Sequence, residues 1–408
     1  METTLKELFK FDRQLLGAGY DSALLYIDSL IGLDIIEIPS GTQLDTWTVP
    51  DEWIVKEAWV KNKGKKIMDY KKDPMSLMCY SAPFTGTIKR KEFLKHLVTN
   101  PDVPKATPYS FSFYERKWGI CLPHSKKLPA GDYEVFIDTE FKPGTMKLGV
   151  HTIPGKLDKE ILLFAHLDHP WQANDNLSAV TCLIDLAKKI KSDYTIKIVF
   201  CPETIGSMGY VKTQDLSKVE FMIAVDICGN DNEILLQQSW ETKDRVNRVA
   251  HCALQAIGKP YRKARFRSSI GSDEYHFNDP KIGIPGLMLT THPYKEYHTS
   301  FDTPQMIDYD KIQETQDLIL KIIEIYEKDY IPERNFTGAL MRSKYDIQSF
   351  NSQINLNYDY FFYSIDGKRS LAEICADYEL PFELIYDVLG NLQNDGQISR
   401  IDFSEVGE

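Results

Sequence analysis

Long apolar runs are missing from this sequence. No stretch approaches the ~20 apolar residues that cross a bilayer, so no membrane partner is expected. The opening METTLKELFKFDRQLLG has no uninterrupted apolar core and no small-residue cleavage site, and a secretory leader is not expected either. Cysteine is sparse and unpatterned, with seven residues, an odd number, and no CxxC. That argues against a disulfide framework and a cysteine zinc site, and favours reduced thiols in a cytoplasmic protein. Basic charge is short as well. The formal net charge is −11, and from Tyr345 onward three Lys and Arg face twelve Asp and Glu. Nucleic acid is therefore not an expected partner, because phosphate binding needs a basic face. There are no internal repeats and no low-complexity tracts. What is present is the composition of a globular protein, 43% hydrophobic and 26% charged over 408 residues, enough for two or three domains.

The hydrophobic pattern changes texture three times. Residues 3–34 have helical spacing, interrupted at Gly17 and Gly19. From Thr46 to about Thr145 the chain is aromatic, alternating and rich in turn residues, which predicts short strands with one helical break over 89–98. From Lys159 strand-like runs (EILLFAHLD, TIKIVFC, FMIAVDIC, GLMLT) alternate with helical segments at 177–187, 242–257 and 308–328. This predicts an α/β fold with a mostly parallel sheet covered by helices. After Pro332 a capping box, Ser370 to Glu373, opens one helix and Pro381 opens a second. A strand-like QISRIDF follows, and helix–turn–helix–strand is the order of a winged helix. The expected organisation is an α/β domain of residues 1–45 and 146–330, a small β domain inserted at 46–145 as lid and specificity wall, and a winged-helix-like domain at 335–408.

Polar residues cluster where these strands end. His166, Asp168 and Asp175 lie in HLDHPWQANDN, directly after a buried strand. Open α/β sheets place their sites there, and imidazole with carboxylate suits a divalent metal. The bland alternative is a helix-capping Asn-Asp beside ordinary histidines. Glu203, in CPETIGSMGY, either caps the next helix or serves as general base for water activation. Asp226 ends an apolar run, where an unpaired carboxylate would be costly without a metal or a hydrogen-bond partner. GSDEYHF with Asp273, and EYHTSFDT with Tyr297 and His298, complete the series. Singly each is weak, but five in this order at successive strand ends form a coherent constellation.

On these residues the sequence resembles the zinc aminopeptidases that include bacterial leucyl aminopeptidase, glutaminyl cyclase and glutamate carboxypeptidase. The matching motifs are His166-x-Asp168, Asp175, Glu203, Asp226, Ser272-Asp273, Gly283-Ile284-Pro285, and Tyr297-His298-Thr299 with Asp302-Thr303. More closely it resembles an aminopeptidase-like branch with WTVP-x-EW and WG motifs in an inserted β domain, here Trp47 to Trp53 and Trp118-Gly119, and a winged helix at its end. Some members of that branch are labelled by association with polysaccharide biosynthesis. The resemblance implies that His166, Asp175 and Asp226 hold one zinc, that Asp175 bridges to a second site to which His298 belongs, that Asp168 orients His166, and that Glu203 is the general base. It also implies Tyr297, Asp273 and His169 as substrate-side residues.

One position departs from the family. Aligning Gly206 and Gly209 puts Thr204 where the family has a second-site carboxylate. The other register makes Glu203 the ligand and leaves Pro202 at the base position. The glycine match favours the first, and with it one tightly bound zinc per chain. The reaction implied is hydrolysis of an N-terminal amino acid from a peptide or aminoacyl-type substrate. Two alternatives stay open, a catalytically weak ligand-binding module linked to polysaccharide biosynthesis, and cyclase-like chemistry. His169, Trp171, Tyr275, His276 and His292 are more often pocket wall than ligand. Arg262, Lys263, Arg265 and Arg267 either meet a substrate carboxylate or form a solvated face. The apolar tail, with Phe382, Ile385, Leu389 and aromatics from Tyr358 to Tyr363, is expected to pack against the core or a second subunit, the latter giving a homo-oligomer.

Overall fold

A computed structural model describes residues 1–345 and 359–403. Tyr358 and parts of the expected 335–408 unit lie outside the described residues.

The centre is an eight-stranded sheet in the spatial order Asp34–Pro39, Thr145–Ile153, Thr195–Cys201, Glu160–His166, Val219–Asp226, Gly286–Thr290, Ile234–Gln237, Tyr261–Ala264. Its four middle strands are mutually parallel. The expectation of a mostly parallel sheet needs correction at the flanks. Asp34–Pro39 and Thr145–Ile153 pair antiparallel with each other, and Thr145–Ile153 with Thr195–Cys201, while Ile234–Gln237 runs antiparallel to Gly286–Thr290. Apolar runs mark a buried strand without encoding its direction.

The middle strands are apolar on both sides because both sides are covered. Ile161, Leu163 and Ala165 face a layer containing the helices Ala18–Ile31, Ala179–Leu186, Arg245–Ile257 and Tyr309–Lys328. Leu162 and Phe164 face the other way, towards the helix Ile205–Thr213 and a second sheet. That sheet is four-stranded and antiparallel, ordered Lys65–Asp69, Glu52–Asn62, Tyr133–Lys142, Phe84–Ile88. Trp53 anchors it by donating Nε1–H to the Ser81 carbonyl at 3.0 Å. The helix expected over 89–98 shrinks to Arg90–Phe93, after which Leu97–Val98 pairs with Ile120–Cys121. Phe93 is buried there with its ring stacked 4.3 Å from Tyr133, so packing on the sheet overrides local helical preference.

Beyond Tyr330, Ile331–Arg334 pairs antiparallel with Ile398–Ile401, and the helices Leu371–Asp377 and Phe382–Asn394 lie between them in sequence. The Ser370–Glu373 capping box forms with both hydrogen bonds. These helices share the core of the first layer. Asp329 pins the junction, its carboxylate taking Arg245 Nε–H at 2.8 Å and the Ala372 amide at 2.8 Å, fully buried. Asp329→Ala leaves the largely buried Arg245 unpaired and is expected to cost about 3 kcal/mol. Urea unfolding reads this directly, and an unchanged midpoint would contradict it.

Candidate metal centre

All four parallel middle strands deliver chemistry at their carboxyl ends. His166 and Asp226 are the last residues of their strands, Glu203 follows Cys201 by two, and His298 sits on the loop after Thr290. Asp175 comes in from the turn Asn174–Ser178. Asp302 holds that turn, accepting the Asn174 amide at 2.6 Å and the Asp175 amide at 3.1 Å. Burial pushes the Asp302 carboxyl up to about 6.

The side chains converge on Asp175. His166 Nε2 lies 3.1 Å and His169 Nδ1 3.2 Å from its Oδ1, and His298 Nε2 lies 2.9 Å from its Oδ2. Donor atoms of three triads lie within 4.8 Å of one another, namely His166–Asp175–Asp226, His169–Asp175–His298 and His166–His169–Glu203. Asp175 Oδ2, Asp226 Oδ1 and His298 Nε2 are buried without a hydrogen-bond partner. Ligands bound to one ion at ~2.1 Å stand about 3.4 Å apart. The separations and the orphaned atoms therefore fit a divalent cation.

The electrostatics agree. Burial alone would lower the His166 and His169 pKa values, yet the surrounding carboxylates, Asp226 on His166 and Asp175 on His169 foremost, carry both well above the ordinary range. Burial raises Asp226 far above a normal carboxylate. Burial also opposes ionisation of Asp175, but His169, His166 and His298 outweigh it and hold Asp175 well below. So much buried negative charge needs cations, which are protons on imidazole when no metal is present. Glu203 is different. Burial works to raise it, but His169 and His166 prevail and keep it ionised at neutral pH. Its side chain is 26% exposed, so solvent reaches it.

Two side chains stand away from their expected contacts. Asp168 does not hold His166. Its Oδ1 accepts the Glu203 amide at 2.8 Å and its Oδ2 lies 3.8 Å from His169, because the His166 ring turns Nε2 to Asp175 and Nδ1 to Asn176, Ser272 and Asp273. Asp273 is not on the substrate side. It is 1% exposed behind His166, accepting the Thr204 amide at 3.0 Å. Thr204 directs its hydroxyl onto the Glu203 carbonyl at 2.7 Å, away from the ligands. Of Gly206 and Gly209, on which the alignment register rests, Gly206 is the one required by space, since the atoms near Gly209 are the tips of flexible side chains. A Cβ on Gly206 would meet Cys201 Cβ at 2.6 Å, and one on Gly209 would meet Ile38 Cδ1 at 2.7 Å. Tyr297 stacks on His298 with centroids 4.0 Å apart. Arg262 donates to the His292 carbonyl and Arg267 covers the Tyr275 ring, so these two cations have partners within the fold.

Sequence reading missed Arg13. It is fully buried and donates to the carbonyls of Leu167, Asp168, His169 and Gln172 at 2.6–2.9 Å, clamping the whole His166–Gln172 loop. A lone arginine near a helix carries no local signal of this. Missed too were Tyr109 and Phe111. Tyr109 donates its amide to the His298 carbonyl at 2.8 Å, and both rings lie against His169 and His298, walling the site from the second sheet's side of the chain.

Glu274, next to Asp273, is buried, takes the Ser272 amide at 2.9 Å, and burial pushes its carboxyl up to about 7. An unfolded glutamate titrates near 4.3. The folded protein therefore holds this proton more tightly, and stability falls as pH rises from about 4.3 to 7, by on the order of 3 kcal/mol. Glu274→Gln should gain stability over the native chain at pH 8 and show no gain at pH 4.5, as read by thermal melts at both pH values.

A family model described as "Domain of unknown function (DUF4910)" matches residues 2–329. The chain belongs to the DUF4910 family. This DUF4910 protein is 32% identical over 404 residues to a Clostridium acetobutylicum protein named "Putative polysaccharide biosynthesis protein with aminopeptidase-like domain", covering 93% of this chain and 92% of the relative. It superposes with TM-score 0.83 on a crystal structure described as a "putative peptidase" from Clostridium acetobutylicum, 28% identical, covering 98% of this chain and 96% of that one. A zinc aminopeptidase from Bacillus subtilis shares the fold at TM-score 0.59 and 16% identity, over 79% of this chain and 93% of the other. At that identity the likeness is one of fold alone.

Proposed function

We propose that this protein is a zinc-dependent hydrolase that removes an N-terminal amino acid from a peptide or peptide-like conjugate. The observation that carries the reading is the buried His166–Asp175–Asp226 triad with its unpartnered oxygens, beside an ionised and solvent-reachable Glu203. The aminopeptidase fold of the neighbours supports it.

His166, Asp175 and Asp226 would hold the ion. The chemistry such an ion would supply is a bound water of lowered pKa, towards ~7, and a Lewis acid for the scissile carbonyl. Glu203 accepts the proton of the attacking water and returns it to the leaving amine. Asp168 fixes the Glu203 backbone through its amide, and His169 Nε2, 3.3 Å from Glu203 Oε2, fixes its carboxylate. Tyr109 and Phe111 border the space for the substrate's N-terminal side chain.

Thr204 favours a second reading, a ligand-binding module of this fold without turnover. A screen of aminoacyl and short peptide amides against the zinc-loaded protein separates the two. Turnover abolished by chelation and restored by zinc supports the hydrolase, and zinc binding with no turnover on any amide supports the module.

In the same proposal the tail is a winged helix used for packing. Helix Phe382–Asn394 carries Glu383 and Asp387 and no Lys or Arg, so it would repel duplex DNA. The second sheet is an inserted lid domain, and the polysaccharide biosynthesis label of the Clostridium acetobutylicum relative makes peptide-like conjugates worth including in the screen.

A further inference from the structure

We infer that His169 is a metal ligand, standing in for the carboxylate that Thr204 lacks and completing a second ion site with Asp175 and His298. The inference rests on the hydrolase reading and deepens it. A catalytic zinc takes three protein ligands and keeps one position open. His166, Asp175 and Asp226 already satisfy that. His169 and His298 are then two further imidazoles on Asp175, His169 at Oδ1 beside His166 and His298 at Oδ2, with the three donor atoms of this triad within 4.8 Å of one another.

The geometry of that second triad is a ligand geometry. Asp175 Oδ2 and His298 Nε2 are 2.9 Å apart, yet neither has a hydrogen-bond partner. They stand close without the geometry of a hydrogen bond, which leaves both free to take a cation. His169 brings Nδ1 to 3.2 Å from Asp175 Oδ1. Its other nitrogen, Nε2, is 3.3 Å from Glu203 Oε2. A ligating imidazole commonly gives its second N–H to a carboxylate, which fixes the tautomer that leaves a lone pair for the metal. Here that carboxylate is the proposed base, so the same ring ties the second site to the proton-transfer group.

His169 is also held at a conformational cost. It is 2% exposed and has φ 68°, the left-handed region that disfavours any residue with a Cβ. The fold keeps it there through Arg13, which grips its carbonyl at 2.9 Å. Strain maintained by its surroundings at a strand-end site marks a functional position. Thr204 offers a neutral hydroxyl in place of a carboxylate, and that hydroxyl is turned onto the Glu203 carbonyl. The substitution has a consequence for charge. The first triad offers two carboxylates and one imidazole, the second two imidazoles and only the shared carboxylate, so the second ion is held more weakly.

The test is zinc stoichiometry of the full chain, stripped with chelator and titrated with zinc alone, with bound metal measured by mass spectrometry. The expected result is two equivalents for the native protein, the second at least ~10-fold weaker. His169→Ala should retain one equivalent with a native circular dichroism spectrum, and His166→Ala should lose the tighter one. His169→Gln, which fills the same space, carries the test if the alanine variant does not fold. Native protein binding one equivalent that His169→Ala leaves intact and His166→Ala removes would sink this inference while the hydrolase reading stands. Two equivalents surviving in both His169 variants would also sink it, making the ring a substrate wall. Native protein that binds no zinc would overturn both.

Discussion

Glu203→Gln is expected to keep its zinc and lose about 10²–10⁴-fold in turnover. The magnitude is that of a positioned general base. The amide fills the same volume and leaves the backbone unchanged, because the Glu203 amide still donates to Asp168. What it removes is the ability to take a proton. The native carboxylate is well suited to that, since His169 and His166 hold it ionised despite burial. The loss should fall on kcat with KM nearly unchanged. Metal analysis alongside the kinetics decides a further point. Glu203 shares a triad with His166 and His169, so it is within reach of an ion. If the glutamine variant loses zinc, Glu203 is a ligand and the base lies elsewhere.

His166→Ala is expected to lose the tighter zinc, with affinity falling by more than ~100-fold, since even residues supporting a ligand are worth 10–100-fold. Hydrolysis should fall to background with it. The same substitution bears on stability. Metal-bound native protein should melt higher than chelated protein, by an amount that grows with free zinc, because the ion binds only the folded arrangement. His166→Ala should abolish that zinc-dependent part of the shift at low zinc concentration. A variant that retains full zinc and full activity would remove His166 from the site.

Several parts of this molecule are legible locally. The capping box at Ser370 forms as its S-x-x-E pattern predicts, because both partners lie within one turn. The helices Arg245–Ile257 and Tyr309–Lys328 follow the apolar spacing to within a few residues. The order of polar residues at strand ends is enough to nominate His166, Asp175, Asp226 and His298, and the structure brings all four together with Glu203 and His169. The glycine at 206 has a steric reason in its packing against Cys201.

Other features arise only from contacts across the chain. Strand direction at the sheet flanks depends on which neighbour supplies hydrogen bonds, and an apolar run is the same read in either sense. The residues 89–98 have helical spacing, but only Arg90–Phe93 is helical and Leu97–Val98 pairs with Ile120–Cys121 from further along the chain. Arg13 reaches carbonyls more than 150 residues away, with no pattern near it to announce them. The partner of Asp168 is set by how the His166 ring is turned, to which Asn176 contributes from ten residues on and Ser272 from 106 residues away.

Residue types and their order determined by themselves that this chain carries an α/β core and a set of imidazoles and carboxylates at its strand ends that suits a metal. Periodicity and strand-end chemistry are short-range properties, so they survive in one dimension. Which imidazole faces which oxygen was decided only by tertiary structure. The placement of these side chains depends on loops anchored through Arg13, Asp302 and the Tyr109–His298 contact. These are distances between residues far apart in sequence, and they exist only once the chain has folded.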